Sequence, residues 1–300
     1  RGIIMKAEEI KTIVVIGAGA MGQQIAMNTV MNGRKHSYQV ILCDSFEGAI
    51  GKAEKWASDY LSGRVAKGRL TQEEADKIAD CLTITKDVDT AVSEADFIIE
   101  AIIENLEIKR ELFRKISRIC RPDAVLGTNS SNIVSSRLAD VTVNPERLLN
   151  IHYFNPALVM QLVELVKGGH TSEETIEAAR VFAENTGKTP IVLNREIAGF
   201  VANRINAAVV HEALSLLEKG VATVNDIDTA CEKGLGYPMG PFRLMDLTGI
   251  DVNYYVRVER FAESQDPFDA PNPLVIEKFE KGEYGRKTGK GWYEYPDGRK

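Results

Sequence analysis

Ile13-Val14-Val15-Ile16-Gly17-Ala18-Gly19-Ala20-Met21-Gly22 decides the fold. Four apolar residues read as a buried strand. They pass directly into a glycine turn and then into a helical pattern, Ile25, Ala26, Thr29 and Val30. A second apolar run, Val40-Ile41-Leu42-Cys43, ends in Asp44. Strand, glycine turn, helix, strand and acid follow in the order a dinucleotide site needs. Gly17 permits the tight turn, Gly19 lets a pyrophosphate approach the backbone, and Gly22 lets the helix lie close to the sheet. Met21 sits inside the motif, where free N–H groups at the helix start face an anion. Asp44 suits the hydroxyls of an adenosine ribose and repels a 2′-phosphate. Ser45-Phe46 offers no cation to offset that repulsion, so NAD is expected over NADP.

Composition narrows the classes. The chain has 300 residues, a size that suggests two domains. A net charge of −6 argues against nucleic acid as the main partner. No apolar stretch approaches the roughly 20 residues of a membrane span. No signal peptide is read; Arg1 to Ile4 are set aside as a remnant ahead of Met5, and a cytoplasmic location is expected. Cys43, Cys81, Cys120 and Cys231 are widely spaced and form no CxxC, which favours free thiols over a metal site or disulfides.

Strand and helix patterns alternate to about residue 193, implying a doubly wound, mostly parallel sheet with helices on both faces. Phe46 to Leu61 reads as a long helix. Thr71-Gln72-Glu73-Glu74 reads as a capping box opening a second, and together these form a helical arm over residues 45–81. Thr171-Ser172-Glu173-Glu174 reads as another capping box. From Gly199 to Leu217 a single long helix is expected. The domains are therefore placed at 1–193 and 194–300, the second all-α. Long apolar helices in a domain of ~100 residues often bury against a twin, which points to a dimer.

Four histidines limit the search for a general base. His36 lies in a polar turn, His170 follows two glycines, and His211 falls within a helix; solvated or packed roles suit these. His152 closes an apolar strand before Asn155-Pro156, and strand ends of this fold are where substrates meet cofactors. Glu164 on the next strand comes within reach if that strand returns beside the first. A carboxylate on one ring nitrogen fixes the tautomer and raises the basicity of the other. A capping histidine with a surface glutamate fits the spacing as well. Ser131, in Thr128-Asn129-Ser130-Ser131, and Asn203, in Gly199-Phe200-Val201-Ala202-Asn203-Arg204, can hold an alcohol or carbonyl oxygen, or serve as a turn and a cap.

These segments, with Glu104-Asn105-Leu106, His152-Tyr153-Phe154-Asn155-Pro156, Tyr237-Pro238-Met239-Gly240-Pro241 and Lys287-Thr288-Gly289-Lys290-Gly291, resemble the L-3-hydroxyacyl-CoA dehydrogenases, most nearly the short, stand-alone 3-hydroxybutyryl-CoA type. The similarity runs in order from about residue 11 to residue 295. It implies a Rossmann domain, a helical domain that forms a homodimer, and an active site in the cleft between them. It implies NAD-dependent, reversible oxidation of a (3S)-3-hydroxyacyl-CoA in fatty acid metabolism. His152 would be the base, Glu164 its partner, and Ser131 and Asn203 the groups on the substrate oxygens. Asp44, Glu104, Lys109, Ser131, Asn155 and Lys287 would join Gly17, Gly19, Met21 and Gly22 in contacting NAD. Lys67 would meet the CoA phosphates. That fits residues 52–69, where five basic residues face two acidic ones, although a solvated helix face has the same look.

The pattern has departures. Arg34 to Gln39 lengthen the turn before the second strand. Tyr60 stands where some relatives carry a serine that touches CoA, Tyr237 replaces a histidine or asparagine, and Ala198 replaces a proline. Two rivals remain: a dehydrogenase of a free 3-hydroxy acid of the gulonate or carnitine type, and a non-catalytic NAD-binding protein of the lens-crystallin kind.

Overall fold

A computed structural model of the chain describes residues 4–296. It contains two compact units, 1–201 and 202–300. Unit 1 is built on an eight-stranded sheet in the order β3-β2-β1-β4-β5-β6-β7-β8. The strands are β1 (Thr12–Ile16), β2 (Gln39–Cys43), β3 (Leu82–Thr85), β4 (Phe97–Glu100), β5 (Val125–Thr128), β6 (Leu148–Tyr153), β7 (Leu162–Val166) and β8 (Thr189–Leu193). The first six run parallel. β7 is antiparallel to β6, and β8 runs parallel to β7. The strand order reverses between β1 and β4, which opens a crevice at their carboxyl ends.

Alternate residues of β1 serve opposite cores. Ile13 and Val15 pack with α1 (Ala20–Asn32), α2 (Glu47–Ala66), α3 (Gln72–Ala79) and, later in the chain, Glu173–Asn185. Val14 and Ile16 pack with α4 (Val88–Ser93), α5 (Leu106–Ile119) and α6 (Ser136–Ala139). The helix Glu173–Asn185 is α7. Apolar residues on both faces of a strand are what a sheet covered on both sides requires.

Four expectations shift in detail. The long arm helix extends to Ala66. The cap of α7 is Ser172, whose hydroxyl accepts the Thr175 N–H; Thr171 is diverted, its own hydroxyl donating to Leu148 O at 2.7 Å. The Thr71–Glu74 capping box is reciprocal as read. The helix expected from Gly199 starts at Ala202, because Gly199 (φ +75°) and Phe200 (φ +50°) are left-handed. The two compact units divide at 201/202. Glu196 bonds Ser135 Oγ at 2.8 Å, and Phe200 is buried with Val166 and Leu193, tying this segment to unit 1. Of the residues set aside as a remnant, 1–3 lie outside the described residues, while Ile4 packs into the first core.

The longer elements of unit 2 are helices, α8 (Ala202–Glu218), α9 (Val224–Thr229), α10 (Pro241–Thr248), α11 (Ile250–Ser264) and α12 (Pro273–Glu280), followed by isolated β-bridges from Gly285 to Lys290 and from Lys290 to Glu294. Its core gathers Val210, Leu214, Phe242, Met245, Ile250 and Val275. Two buried acids pin its loops. Asp228 accepts from the Phe242 and Arg243 N–H groups, and Asp246 from those of Trp292 and Tyr293. Among the described residues no helix is long and apolar enough to cross a membrane.

Candidate active site

The glycine turn fits a dinucleotide backbone. Gly17 has φ +108°, and a methyl group on Gly22 would lie 1.8 Å from the Gly17 carbonyl oxygen, so neither position admits a side chain. Gly19 faces open space, with no atom within 4 Å of where a Cβ would sit. Met21 lies in the first turn of α1. Asp44 is held ready at the end of β2: the Ala18 N–H donates to Oδ2 and the Phe46 N–H to Oδ1, each at 2.9 Å. This arrangement fits NAD, with the helix start facing the pyrophosphate and the acid facing the ribose.

Beside it, at the end of β4, lies a buried charge network that patterning did not reveal. Glu100, wholly buried, accepts from Lys109 Nζ at 2.5 Å, Thr128 Oγ1 at 2.6 Å and the Ile102 N–H at 2.7 Å. Lys109 also lies 3.3 Å from Glu104, which takes a short hydrogen bond from the Ser130 hydroxyl. Only 1% of the Lys109 side chain is exposed, so it is placed to hold Glu104 rather than to meet a ligand directly. Glu100 closes Phe97-Ile98-Ile99 as Asp44 closes the β2 run, and that shared pattern is the signal that could have found it.

The antiparallel turn-back of β7 brings His152 and Glu164 together. His152 and Glu164 are direct register partners, so their side chains stand on the same face. His152 Nδ1 lies 2.9 Å from Glu164 Oε2. A carboxylate only accepts, so Nδ1 carries the proton and Nε2 keeps its lone pair. The other carboxylate oxygen, Oε1, accepts the Val201 N–H at 3.0 Å. Glu164 is 0% exposed, which rules out the surface-glutamate alternative. The imidazole packs between Phe154 and Phe200, with centroids at 4.6 and 5.3 Å. A base fixed in tautomer and orientation, with one nitrogen free at a strand end, can take a proton from a substrate hydroxyl.

The other expected residues belong to several elements of the two units. Ser131 is half-buried in the loop after β5, and its carbonyl accepts the Gly199 N–H at 3.2 Å. Asn155 is exposed just beyond β6. Lys67 is the exposed C-cap of α2. In unit 2, Asn203 is in the first turn of α8, and Lys287 Nζ lies 2.5 Å from Asp251. His36 packs on Tyr38 and His211 on Phe268, both structural settings, and His170 is half-buried. Burial, with Asp44 and Asp87 nearby, pushes the Cys43 thiol up to about 12, which leaves no thiolate for chemistry. Sequence reasoning missed the Val201 N–H and Phe200; a backbone donor leaves no trace in residue identity.

Residues 12–197 match the family description "3-hydroxyacyl-CoA dehydrogenase, NAD binding domain", and residues 199–295 match its C-terminal domain. The chain is 34% identical over 294 residues to the mitochondrial hydroxyacyl-coenzyme A dehydrogenase of Sus scrofa, covering 95% of this chain and 91% of that protein. It is 34% identical over 290 residues to the 3-hydroxybutyryl-CoA dehydrogenase of Mycobacterium tuberculosis, covering 96% and 100%. The crystal structure of (S)-3-hydroxybutyryl-CoA dehydrogenase PaaH1 from Ralstonia eutropha superposes with a TM-score of 0.86 at 32% identity, covering 95% of this chain and 99% of that one.

Proposed function

Since the chain belongs to the 3-hydroxyacyl-CoA dehydrogenase family, whose members are NAD-dependent oxidoreductases, we propose that it interconverts a short-chain (3S)-3-hydroxyacyl-CoA and the 3-ketoacyl-CoA, with His152 as general base. The observation that carries this is the 2.9 Å contact between His152 Nδ1 and Glu164 Oε2 on neighbouring strands. When bound, NAD supplies the hydride acceptor. In the oxidative direction Nε2 of His152 takes the proton of the substrate hydroxyl, and the Glu164 carboxylate stabilises the imidazolium so formed. Ser131 and Asn203 hold the reacting oxygen, which orients the encounter. Gly17, Gly19, Met21, Gly22, Asp44, Glu104, Asn155 and Lys287 receive the cofactor, Lys109 acting through Glu104, and Lys67 meets the CoA phosphates. Oxidation needs the Nε2 lone pair of His152. A homodimer through unit 2 is supported by apolar side chains left exposed on α8 and α11: Ile205 (60%), Val252 (48%) and Tyr255 (56%).

The test is steady-state oxidation of NADH with acetoacetyl-CoA, free acetoacetate and the keto acid of gulonate. The CoA ester should be strongly preferred; preference for a free acid would transfer the chain to the sugar-acid or carnitine type. His152→Gln should lower turnover by about 10²–10⁴-fold, the usual worth of general-base catalysis. Tight NAD binding with near wild-type turnover would sink the assignment.

A further inference from the structure

A wholly buried amide stands two residues before His152 on β6. Strand alternation puts Asn150 and His152 on the same face of the sheet. Asn150 is 0% exposed, so its polar atoms depend on protein partners. All three partners are backbone groups of the loop that follows β5. Oδ1 accepts the Ser135 N–H at 2.7 Å, and Nδ2 donates to the carbonyls of Ile133 at 2.9 Å and Ser130 at 3.3 Å. Backbone polarity is fixed, so the amide can face only one way. A carboxylate of the same shape accepts but does not donate, and would confront the two carbonyls.

The loop so held is the one that carries Ser131. The Ser130 carbonyl belongs to the peptide that leads into Ser131, so its hydrogen bond orients the entry to that residue. On the other side of Ser130, Asn129 Oδ1 accepts the Tyr153 N–H at 2.9 Å. Positions 150 and 153 flank His152, and the groups they hold, from 129 to 135, flank Ser131. The Tyr153 tie uses a backbone N–H that nearly any residue would supply. The tie at 150 depends on the side chain. Satisfying three buried backbone groups stabilises a fold in its own right. Here the same rigid strand carries both the base and the clamp, so one short piece of β6 sets the spacing between His152 and Ser131.

We propose that Asn150 is a positioning residue for the transfer step: it fastens the Ser131 loop to the strand that carries His152, and so keeps the reacting oxygen within reach of Nε2. With no exposed surface, Asn150 acts through Ser131 and not on a ligand. This rests on the roles given to His152 and Ser131 above.

The experiment is a double-mutant cycle read in kcat for the reduction of acetoacetyl-CoA by NADH. Asn150→Asp keeps the shape and removes both donors. It should lower kcat by about tenfold or more, since a misplacement of ~1 Å can cost about 10²-fold. Ser131→Ala removes the hydroxyl that the clamp positions. In that background Asn150→Asp should cost less than about threefold, the mark of two residues acting through one contact. Its effect should instead multiply with that of Glu164→Gln, because the His152–Glu164 pair is aligned by the strand ladder and not by the loop. A purely structural amide would lower the unfolding midpoint and leave kcat per folded enzyme near wild type. That result, or effects of Asn150→Asp and Ser131→Ala that multiply in full, would overturn the proposal while leaving the reaction intact. Circular dichroism confirms folding; should Asn150→Asp fail to fold, Asn150→Ser, smaller and uncharged, carries the same cycle. Wild-type kcat in Ser131→Ala or in His152→Gln would instead remove the premise, and the proposal with it.

Discussion

Replacing Glu164 by Gln tests the dyad more sharply than removing the histidine, because the substitution keeps the shape and deletes only charge and acceptor capacity. Glu164 is wholly buried and its two oxygens are committed, one to His152 Nδ1 and one to the Val201 N–H. A glutamine has one oxygen for two donors. If the oxygen stays with Val201, the amide NH₂ faces Nδ1, which must then accept; Nε2 becomes protonated and the base is lost. If the oxygen turns to Nδ1, the NH₂ confronts the Val201 N–H. In both cases the imidazolium that forms during oxidation loses its counter-charge. At a charge separation of about 4 Å and an effective dielectric of about 20, that interaction is worth ~4 kcal/mol, or roughly a thousandfold in rate. Glu164→Gln should therefore lower kcat about 10³-fold in stopped-flow or steady-state NADH assays, with the dissociation constant for NADH little changed. The double variant with His152→Gln should be no slower than the worse single, because the pair acts as a unit. A kcat within about tenfold of wild type, or a loss confined to KM, would refute the reasoning.

Two predictions concern stability. Arg147 is fully buried and donates to the carbonyls of Ser117, Arg121 and Val143, so Arg147→Met should orphan them and cost on the order of 3–5 kcal/mol in guanidinium unfolding; a loss below about 1 kcal/mol would contradict that. Hydrogen bonds from Lys278 and Lys290 hold the Glu283 carboxyl down at about 2. A lowered carboxylate stabilises the fold above the ordinary glutamate range and loses that contribution as pH falls towards 2, so the Tm gap between wild type and Glu283→Gln should close on acidification and shrink with salt; a gap independent of pH would count against it.

Much of unit 1 was legible because its signals are local. A glycine turn between an apolar strand and a helix, an acid at a strand end, and Thr71 three residues before Glu74 each state their geometry in adjacent residues. What stayed hidden depends on distant partners. Thr171 and Ser172 are equally good caps on paper, and only the carbonyl of Leu148 decides between them. The start of α8 is set by the left-handed Phe200, an unusual conformation for a bulky side chain that no pattern announces. Glu100 and Lys109 look like a strand end and a helix surface, yet they form a pair sealed from water.

The reversal of β7 has a consequence for how this scaffold can change. Imidazole and carboxylate are aligned by the backbone ladder beneath them, from Asn150 opposite Val166 to Tyr153 opposite Val163, and not by the eight residues that connect the strands. Phe154, which packs on the imidazole, and Asn155, proposed for the cofactor, must stay; beyond them the connection can change without shifting that ladder. Val159 and Met160, well exposed, mark where the sequence there can drift while the strand pairing underneath stays fixed.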